Sequence, residues 1–263
     1  MTAMAHHPGH DAVAAEVRSW FRTSLPEIGF VVEERWFGVL SELGDDEVRV
    51  ILDVAAPEDV APALADLASR EPGSATTLWV DDPARDALLR GALEAAGYRT
   101  TTATTHLALV GAIAAEAGPD GLVLEQVGAD RLEEWASVKL RCFGDTEDEP
   151  PAEQLAAEVR LRSGEASMAA HHLAVLDGEP VGVLAYYEGQ DQLVFNLGTR
   201  VPFRHRAIAQ SVLARWAAAC EAAACRSAII NAHVGGRPEA LYRRIGFVDE
   251  VYWYQTYQRV RER

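Results

Sequence analysis

The chain has 263 residues, 49% of them hydrophobic, and 24 Lys or Arg against 40 Asp or Glu, so its net charge at pH 7 is −16. A negative field of this size repels phosphate backbones and anionic lipid headgroups, and it disfavours nucleic acid and membranes as partners. The length fits one large domain or two domains of roughly 130 residues each.

The sequence also bears on compartment and metal content. No apolar run approaches the ~18 residues of a membrane-spanning helix, and the N-terminus lacks a basic region followed by an apolar one, so we expect a cytoplasmic protein. Cys220 and Cys225 lie five residues apart on a predicted helix, where they should point to different faces, and no second cysteine pair completes a zinc site. We expect reduced thiols and no metal, with the histidines of "HHPGH" (6–10) forming a frayed terminus.

The first half of the chain alternates strand and helix patterns. The segment "VRVILDVAAPEDVAPALADLASR" (48–70) predicts a strand, a turn and a helix, and "ATTLWV" (75–80) predicts the next strand. The Ala-, Gly- and Pro-rich "VGAIAAEAGPDG" (110–121) indicates a linker. We therefore predict an N-terminal domain over residues 1–118 and a C-terminal domain over residues 119–263.

The second half predicts the element order β-α-α-β-β-β-α-β-α-β, a mixed α/β sheet with helices on both faces. The predicted strands are 121–128, 171–178, 179–190, 191–201, 226–234 and 247–260, and the predicted helices are 129–144, 152–164, 206–224 and 237–246. Asp177-Gly178 and Gly189-Gln190 are turn signals between consecutive strands. The third helix carries an apolar stripe at four-residue spacing, typical of a helix packed on a sheet. The stripe consists of Ile208, Val212, Trp216 and Cys220.

Two segments match at a constant offset of 149 residues. "LEAAGYRTTTATTHLALV" (93–110) aligns with "YRRIGFVDEVYWYQTYQR" (242–259), which matches Gly97 to Gly246. Such self-similarity indicates an internal duplication, and the alternative is a chance likeness between two generic α/β segments. The duplication predicts two lobes, each a mixed, mostly antiparallel sheet flanked by helices.

The stretch "NLGTRVPFRHRAIAQSVLARW" (196–216) runs from a strand through an arginine-rich turn into a helix. The first amides of a helix lack internal partners and its end carries a partial positive charge, so pyrophosphate fits there. The segment "RHRAIAQ" (204–210) adds small side chains and the charges of Arg204 and Arg206. Taken alone, such a helix start is more often a solvated surface.

A second motif, "ALYRRIGF" (240–247), follows further along the chain. Together the two motifs resemble the GNAT superfamily of acyl-CoA-dependent N-acyltransferases, whose pyrophosphate loop has the form R/Q-x-x-G-x-G/A and which carry L-Y-x-x-x-G-F near the C-terminus. The order and spacing of elements over residues 121–259 are also similar to that family. The two halves resemble two-lobed members in which a degenerate first lobe precedes an active second one.

The resemblance implies roles for individual residues. The backbone of Leu197 and Thr199, with Gly198 between them, would pair with the pantetheine arm of acetyl-CoA. The phenol of Tyr242 would protonate the departing sulfur, and the alternative is that Tyr242 only packs beneath the sheet. The residues that would hold the pyrophosphate are Arg204, His205, Arg206, Ala207, Ile208, Ala209 and Gln210.

Ala207 departs from the family pattern, which has glycine at that position. If the position needs a positive φ, alanine costs on the order of 1 kcal/mol, about fivefold in affinity. If it lies in the first helical turn, alanine favours the helix instead. The family often accepts alanine at the position of Ala209. Because one methyl group cannot abolish binding that rests on several amides and two arginines, we expect a working cradle.

The resemblance leaves the general base open among Glu188, His233 and a water near Asn196. It also implies that the acidic segment "DTEDEP" (145–150) borders the acceptor pocket, where its carboxylates would favour a cationic amine. The alternative for this segment is an ordinary solvated loop.

The first half lacks the groups that would carry this chemistry. Glu58 and Asp59 stand where basic residues should lie, and Leu93 takes the place of Tyr242. We therefore predict a structural first lobe and a second lobe that transfers an acetyl group from acetyl-CoA to an amine of a small molecule or peptide. The alternative is a non-catalytic acyl-CoA-binding or interaction module, and the sequence leaves homodimer formation open.

Overall fold

The computed structural model of the chain describes residues 31–35, 38–43, 47–70, 75–113, 118–144, 146–165, 169–189 and 191–259. The N-terminal histidines, the middle of the predicted linker (114–117), Asp145 and Gln190 lie outside the described residues. Within these ranges, no helix combines the length and the apolar character needed to cross a membrane.

The described chain forms eleven strands and six α-helices. The strands are β1 (Val31–Arg35), β2 (Gly38–Leu43), β3 (Glu47–Leu52), β4 (Ala75–Val80), β5 (Tyr98–Leu109), β6 (Leu122–Gln126), β7 (Ala169–Leu176), β8 (Glu179–Tyr187), β9 (Asp191–Thr199), β10 (Ser227–His233) and β11 (Phe247–Arg259). The helices are α1 (Val60–Arg70), α2 (Pro83–Ala95), α3 (Leu132–Phe143), α4 (Ala152–Glu165), α5 (Ile208–Ala222) and α6 (Arg237–Ile245). The predicted element order of the second half is confirmed throughout.

The chain folds into two compact units. The first contains the described parts of residues 1–106, 232–236 and 250–263, and the second contains those of 107–231 and 237–249. The division of the chain into domains 1–118 and 119–263, which follows the Ala-, Gly- and Pro-rich segment 110–121, stays a prediction.

In the first unit the strand order is β1-β2-β3-β4-β11-β5. The pairings β1–β2, β2–β3 and β4–β11 are antiparallel, and β3 pairs with β4 in parallel. The core of this unit lies between the sheet and helices α1 and α2, and it includes Leu78, Leu89, Leu93 and Tyr257, all fully buried. The last strand of the chain is thus part of the unit formed mainly by the N-terminal half.

In the second unit the strand order is β10-β9-β8-β7-β6, with β9 and β10 parallel and the other pairs antiparallel. Asp177 and Gly178 both adopt positive φ and form the predicted tight turn between β7 and β8. His171 contacts Trp135 of α3, whereas Tyr186, which stacks on His172, contacts Trp216 of α5. Because neighbouring residues of a strand point to opposite faces, α3 and α5 cover opposite faces of this sheet.

The two halves share a local pattern. The run β3-α1-β4-α2-β5 in the first half corresponds to β9-α5-β10-α6-β11 in the second, and the first two strands of each run are parallel neighbours. Gly97 and Gly246 both have positive φ and join the second helix of each run to its last strand. The aligned segments therefore have the same secondary structure, as the duplication predicts.

Helix α5 packs as predicted, with every residue of its stripe at most 4% exposed. The expectation for its cysteines is wrong. The helix ends at Ala222, and Ala224 adopts the left-handed conformation (φ 54°), so the Cys225 N–H donates to the Cys220 carbonyl at 2.9 Å. Cys225 therefore lies beyond the end of the helix, and the chain turns back toward Cys220 instead of placing the two cysteines on different faces of one helix.

Candidate functional site

The site predicted from the sequence begins where β9 and β10 separate. These strands pair only from Asp191–Ser227 to Val194–Ile230. Beyond Val194, a register shift opposite Ala185 and Tyr186 leaves Phe195 as an extra residue in β9. Such a bulge bends a strand, and here it bends β9 at the point where its pairing with β10 ends.

The end of β9 presents backbone groups on the side away from β8. The Arg200 N–H donates to the Val181 carbonyl at 2.9 Å, so the ladder to β8 is made by Arg200 and, two residues earlier, by Gly198. In an antiparallel ladder every second residue of a strand bonds a given neighbour. Leu197 and Thr199, which alternate with Gly198 and Arg200, therefore direct their N–H and C=O groups to the other side. This is the orientation that the prediction for Leu197 and Thr199 requires.

Gly198 has a packing reason to be glycine. A Cβ at this position would lie 2.6 Å from the Cys142 Cβ and 3.0 Å from Cε2 of Phe143, both in the last turn of α3. The sequence motif suggested a role for Gly198 in cofactor binding, and the structure adds that its missing side chain lets α3 approach β9.

The turn after β9 is built from left-handed residues. Val201–Phe203 form a short 3₁₀ turn, and His205 and Ala207 both have positive φ, at 63° and 56°. Ala207 is the N-cap of α5, so the helix begins at Ile208 and not at Arg206 as predicted. Ala207 therefore has the positive φ that disfavours alanine, and it does not lie in the first turn of the helix, where alanine would be favourable.

The start of α5 offers free amides. The Ser211 N–H and hydroxyl both donate to the Ala207 carbonyl at 3.0 Å, which fixes the left-handed residue. The N–H groups of Ile208, Ala209 and Gln210 have no acceptor among the described residues. Ile208 is 2% exposed and anchors the helix start in the core. These three amides and the helix dipole are what an anion would meet here.

Three arginines near this turn differ in their hydrogen-bond and ion-pair partners. Arg200 bonds the carboxylates of Glu147 and Glu179, each at 2.8 Å. Arg204 donates from Nε to the Thr199 carbonyl at 3.1 Å and from a terminal nitrogen to the Cys142 carbonyl at 2.9 Å. The exposed Arg206 guanidinium lies 5.7 Å from the centre of the Phe203 ring. The charges of Arg204 and Arg206 have no carboxylate partner among the described residues and remain available to a phosphate.

Tyr242 lies on α6 and is 6% exposed. Its ring meets Phe247 edge-on, with centroids 6.3 Å apart, and Gly246 (φ 118°) turns the chain between them. Burial raises the pKa of the Tyr242 phenol, so the hydroxyl keeps its proton. It has no hydrogen-bond partner among the described residues, so the protonated hydroxyl is free to donate a hydrogen bond to a ligand.

The three suggestions for the general base lie in different surroundings. Glu188 is exposed just after β8. The register pairs Asn196 with Ala185, three residues before Glu188, so Glu188 lies on the order of 10 Å along the sheet from Asn196. Asn196 is half-buried within β9, and His233 is exposed at the end of β10, in the first unit. The register thus separates Glu188 from the open end of β9.

The acidic loop between α3 and α4 is described except for Asp145. It borders a cavity of about 290 Å³ that lies against the last turn of α3 and the first turn of α4. Asp148 and Glu149 line this cavity, together with Arg141 and Phe143. Glu147 instead turns toward Arg200, an interaction that the sequence did not indicate.

The equivalent turn of the first unit has the opposite charge. Glu58, which is exposed, and Asp59 lie in the 3₁₀ turn before α1, where carboxylates would repel phosphate. Leu93, at the position aligned with Tyr242, is fully buried. No group of three or more His, Cys, Asp or Glu side chains in the described part of the chain is arranged to hold a metal ion.

No protein-family model and no curated protein matches the sequence, so the comparison with known proteins rests on structure. A GCN5-related N-acetyltransferase from Kribbella flavida has a TM-score of 0.66 and 15% identity, over 95% of this chain and 96% of that one. One from Sphaerobacter thermophilus has a TM-score of 0.57 and 16% identity, over 88% and 75%. A tandem GNAT protein from the clavulanic acid biosynthesis pathway has a TM-score of 0.58 and 16% identity, over 89% and 85%. The chain therefore has the fold of the GNAT, or GCN5-related N-acetyltransferase, superfamily.

Proposed function

We propose that the chain is an acyl-CoA-dependent N-acyltransferase that transfers an acetyl group from acetyl-CoA to an amine of a small molecule or peptide. One observation carries the proposal: the unpaired edge of β9 leads through a left-handed turn to the free amides of a 15-residue helix. An extended amide-bearing arm and a pyrophosphate need these two features in this order.

In this proposal the pantetheine amides pair with the outward-facing backbone of Leu197 and Thr199. The Thr199 carbonyl already accepts Arg204 Nε, which leaves its N–H and both groups of Leu197 for the ligand. The pyrophosphate lies at residues 204–210, near the uncompensated charges of Arg204 and Arg206. The acidic turn of the first unit makes that unit structural.

The reaction follows from this placement. The amine nitrogen attacks the thioester carbonyl carbon, and a C–N bond forms as the C–S bond breaks. The amine proton passes to a base. This base is either His233 or a water near Asn196, and Glu188 is the least favoured of the three. Tyr242 gives its phenolic proton to the departing sulfur, and a proton from solvent restores the phenol. General acid catalysis of this kind is worth roughly 10²–10⁴-fold in rate.

A non-catalytic acyl-CoA-binding module would use the same turn but no proton donor. Incubation with acetyl-CoA and a panel of mono- and diamines, with acetylated product detected by mass spectrometry, separates the two functions. We expect product with at least one amine, and none from an Arg204→Glu/Arg206→Glu variant. Binding of acetyl-CoA without acetylation of any amine would contradict an acyltransferase and favour the binding module.

A further inference from the structure

Glu147 joins the loop between α3 and α4 to the first residues of the turn after β9. Its Oε2 accepts a hydrogen bond from Arg200 Nε at 2.8 Å, and its Oε1 accepts the Val201 N–H at 3.1 Å. One carboxylate therefore bonds a side chain and a backbone amide that are 53 and 54 residues away in sequence. Charged partners make such bonds stronger than neutral ones.

Arg204 makes a second link between the same segments. Its guanidinium bonds the Thr199 carbonyl at the end of β9 and the Cys142 carbonyl in the last turn of α3. The two links enclose the 3₁₀ turn Val201–Phe203. The start of the proposed pyrophosphate turn is thus fixed from both sides to α3 and the loop that follows it.

The neighbouring carboxylates of the loop behave differently. Asp148 and Glu149 are exposed, and neither bonds a described residue. Glu147 has a side chain 31% exposed, and its partner Arg200 has one 13% exposed. Of these three consecutive carboxylates, Glu147 is the one that bonds the turn after β9 in the described part of the chain.

We propose that Glu147 is a positioning residue, which sets the conformation of the turn that binds acetyl-CoA and couples this turn to the α3–α4 loop. The inference rests on the proposed function, because it takes residues 204–210 as the pyrophosphate site. Through the same carboxylate, a shift of the α3–α4 loop changes the position of Val201, and binding at the turn restrains the loop.

Neutralising Glu147 should change the affinity for acetyl-CoA in one direction if only its charge matters, and in the other direction if it holds the turn in place. A carboxylate near a phosphate site repels phosphate, so neutralising it raises phosphate affinity if charge is all that matters. If Glu147 instead holds the turn, neutralising it lowers the affinity. The sign of the change separates the two explanations.

The test measures the Kd of acetyl-CoA by isothermal titration calorimetry for Glu147→Gln, Glu147→Asp and two control variants, Asp148→Asn and Glu149→Gln. Glu147→Gln keeps the shape and loses the charge, whereas Glu147→Asp keeps the charge but is too short to reach both partners. We expect both to weaken binding about three- to tenfold, as loss of a charge-assisted hydrogen bond would. The controls should bind as the wild type does or slightly more tightly.

Steady-state kinetics supply a second readout. Glu147→Gln should raise the KM for acetyl-CoA and for the amine while kcat changes less than about threefold, because Glu147 does not touch the reacting atoms. Glu147 variants that bind acetyl-CoA as tightly as the controls would overturn the inference and leave the proposed function intact. A wild-type protein that binds no acetyl-CoA would overturn both.

Discussion

Replacing Ala207 by glycine tests the left-handed turn, on which the proposed cofactor site depends. A non-glycine residue in the left-handed region carries about 1–2 kcal/mol of steric cost, and Ala207 lies there at φ 56°, ψ 14°. Glycine removes that cost but adds about 0.4–1 kcal/mol of chain entropy to the unfolded state. We therefore expect Ala207→Gly to raise the free energy of unfolding by about 0.5–1 kcal/mol.

Ala209→Gly is the matched control. It makes the same substitution two residues later, inside the first turn of α5, where glycine lowers stability by about 0.5–1 kcal/mol. Two identical substitutions should therefore change stability with opposite signs.

The assay is denaturant unfolding, comparing transition midpoints at unchanged slope. The positive φ of Ala207 is already present in the folded chain without a ligand, so its strain weakens folding and not binding, and the loss of affinity expected from the sequence is replaced by a loss of stability. The affinity of Ala207→Gly for acetyl-CoA should therefore stay within about twofold of the wild type. If both glycine variants lose stability equally, Ala207 is not left-handed and the description of the turn is wrong.

Three further perturbations test other parts of the account. Tyr242→Phe keeps the buried ring but removes the proton donor, so kcat should fall at least about tenfold with an unchanged Kd for acetyl-CoA; undiminished turnover would show that Tyr242 only packs. Gly198→Ala would place a Cβ 2.6 Å from Cys142 Cβ, so we expect a loss of about 1–3 kcal/mol in unfolding experiments, and an unchanged midpoint would refute the close packing of α3 on β9. Burial lowers the pKa values of His106 and His171 to about 4, so between pH 6.5 and 4 the unfolded chain binds protons that the folded chain does not. The free energy of unfolding should therefore fall as the pH is lowered across this range, by up to about 3 kcal/mol for each histidine. His106→Phe should make stability depend less steeply on pH, and an unchanged pH dependence would contradict the lowered pKa of His106.

The sequence predicted the elements of the second half because its signals there are local. The stripe of α5, the Asp177-Gly178 turn and the glycine after each aligned helix depend on residues within a few positions of one another, and each has the predicted structure. The two motifs that led to the GNAT fold are local in the same way.

What the sequence did not indicate depends on the conformation of single residues or on contacts between distant ones. The start of α5 and the approach of Cys225 to Cys220 are set by alanines with positive φ, Ala207 and Ala224, and alanine gives no sequence signal for that conformation.

Distant contacts gave no signal either. Glu147 meets Arg200 across 53 residues. In the first unit, Tyr257 bonds Asp86 across 171 residues and so places the last strand against the N-terminal half. Nothing in the spacing of either pair distinguishes it from the other charged or aromatic residues nearby.

We propose that the turn at residues 204–210 binds acetyl-CoA while its acidic counterpart in the first unit does not. Titration calorimetry of acetyl-CoA into the wild type and into Arg204→Glu/Arg206→Glu and Glu58→Lys variants tests it directly. We expect one site per chain, abolished by the arginine replacements and unaffected by Glu58→Lys. Two sites per chain, or a single site that survives the arginine replacements and is lost with Glu58→Lys, would contradict it.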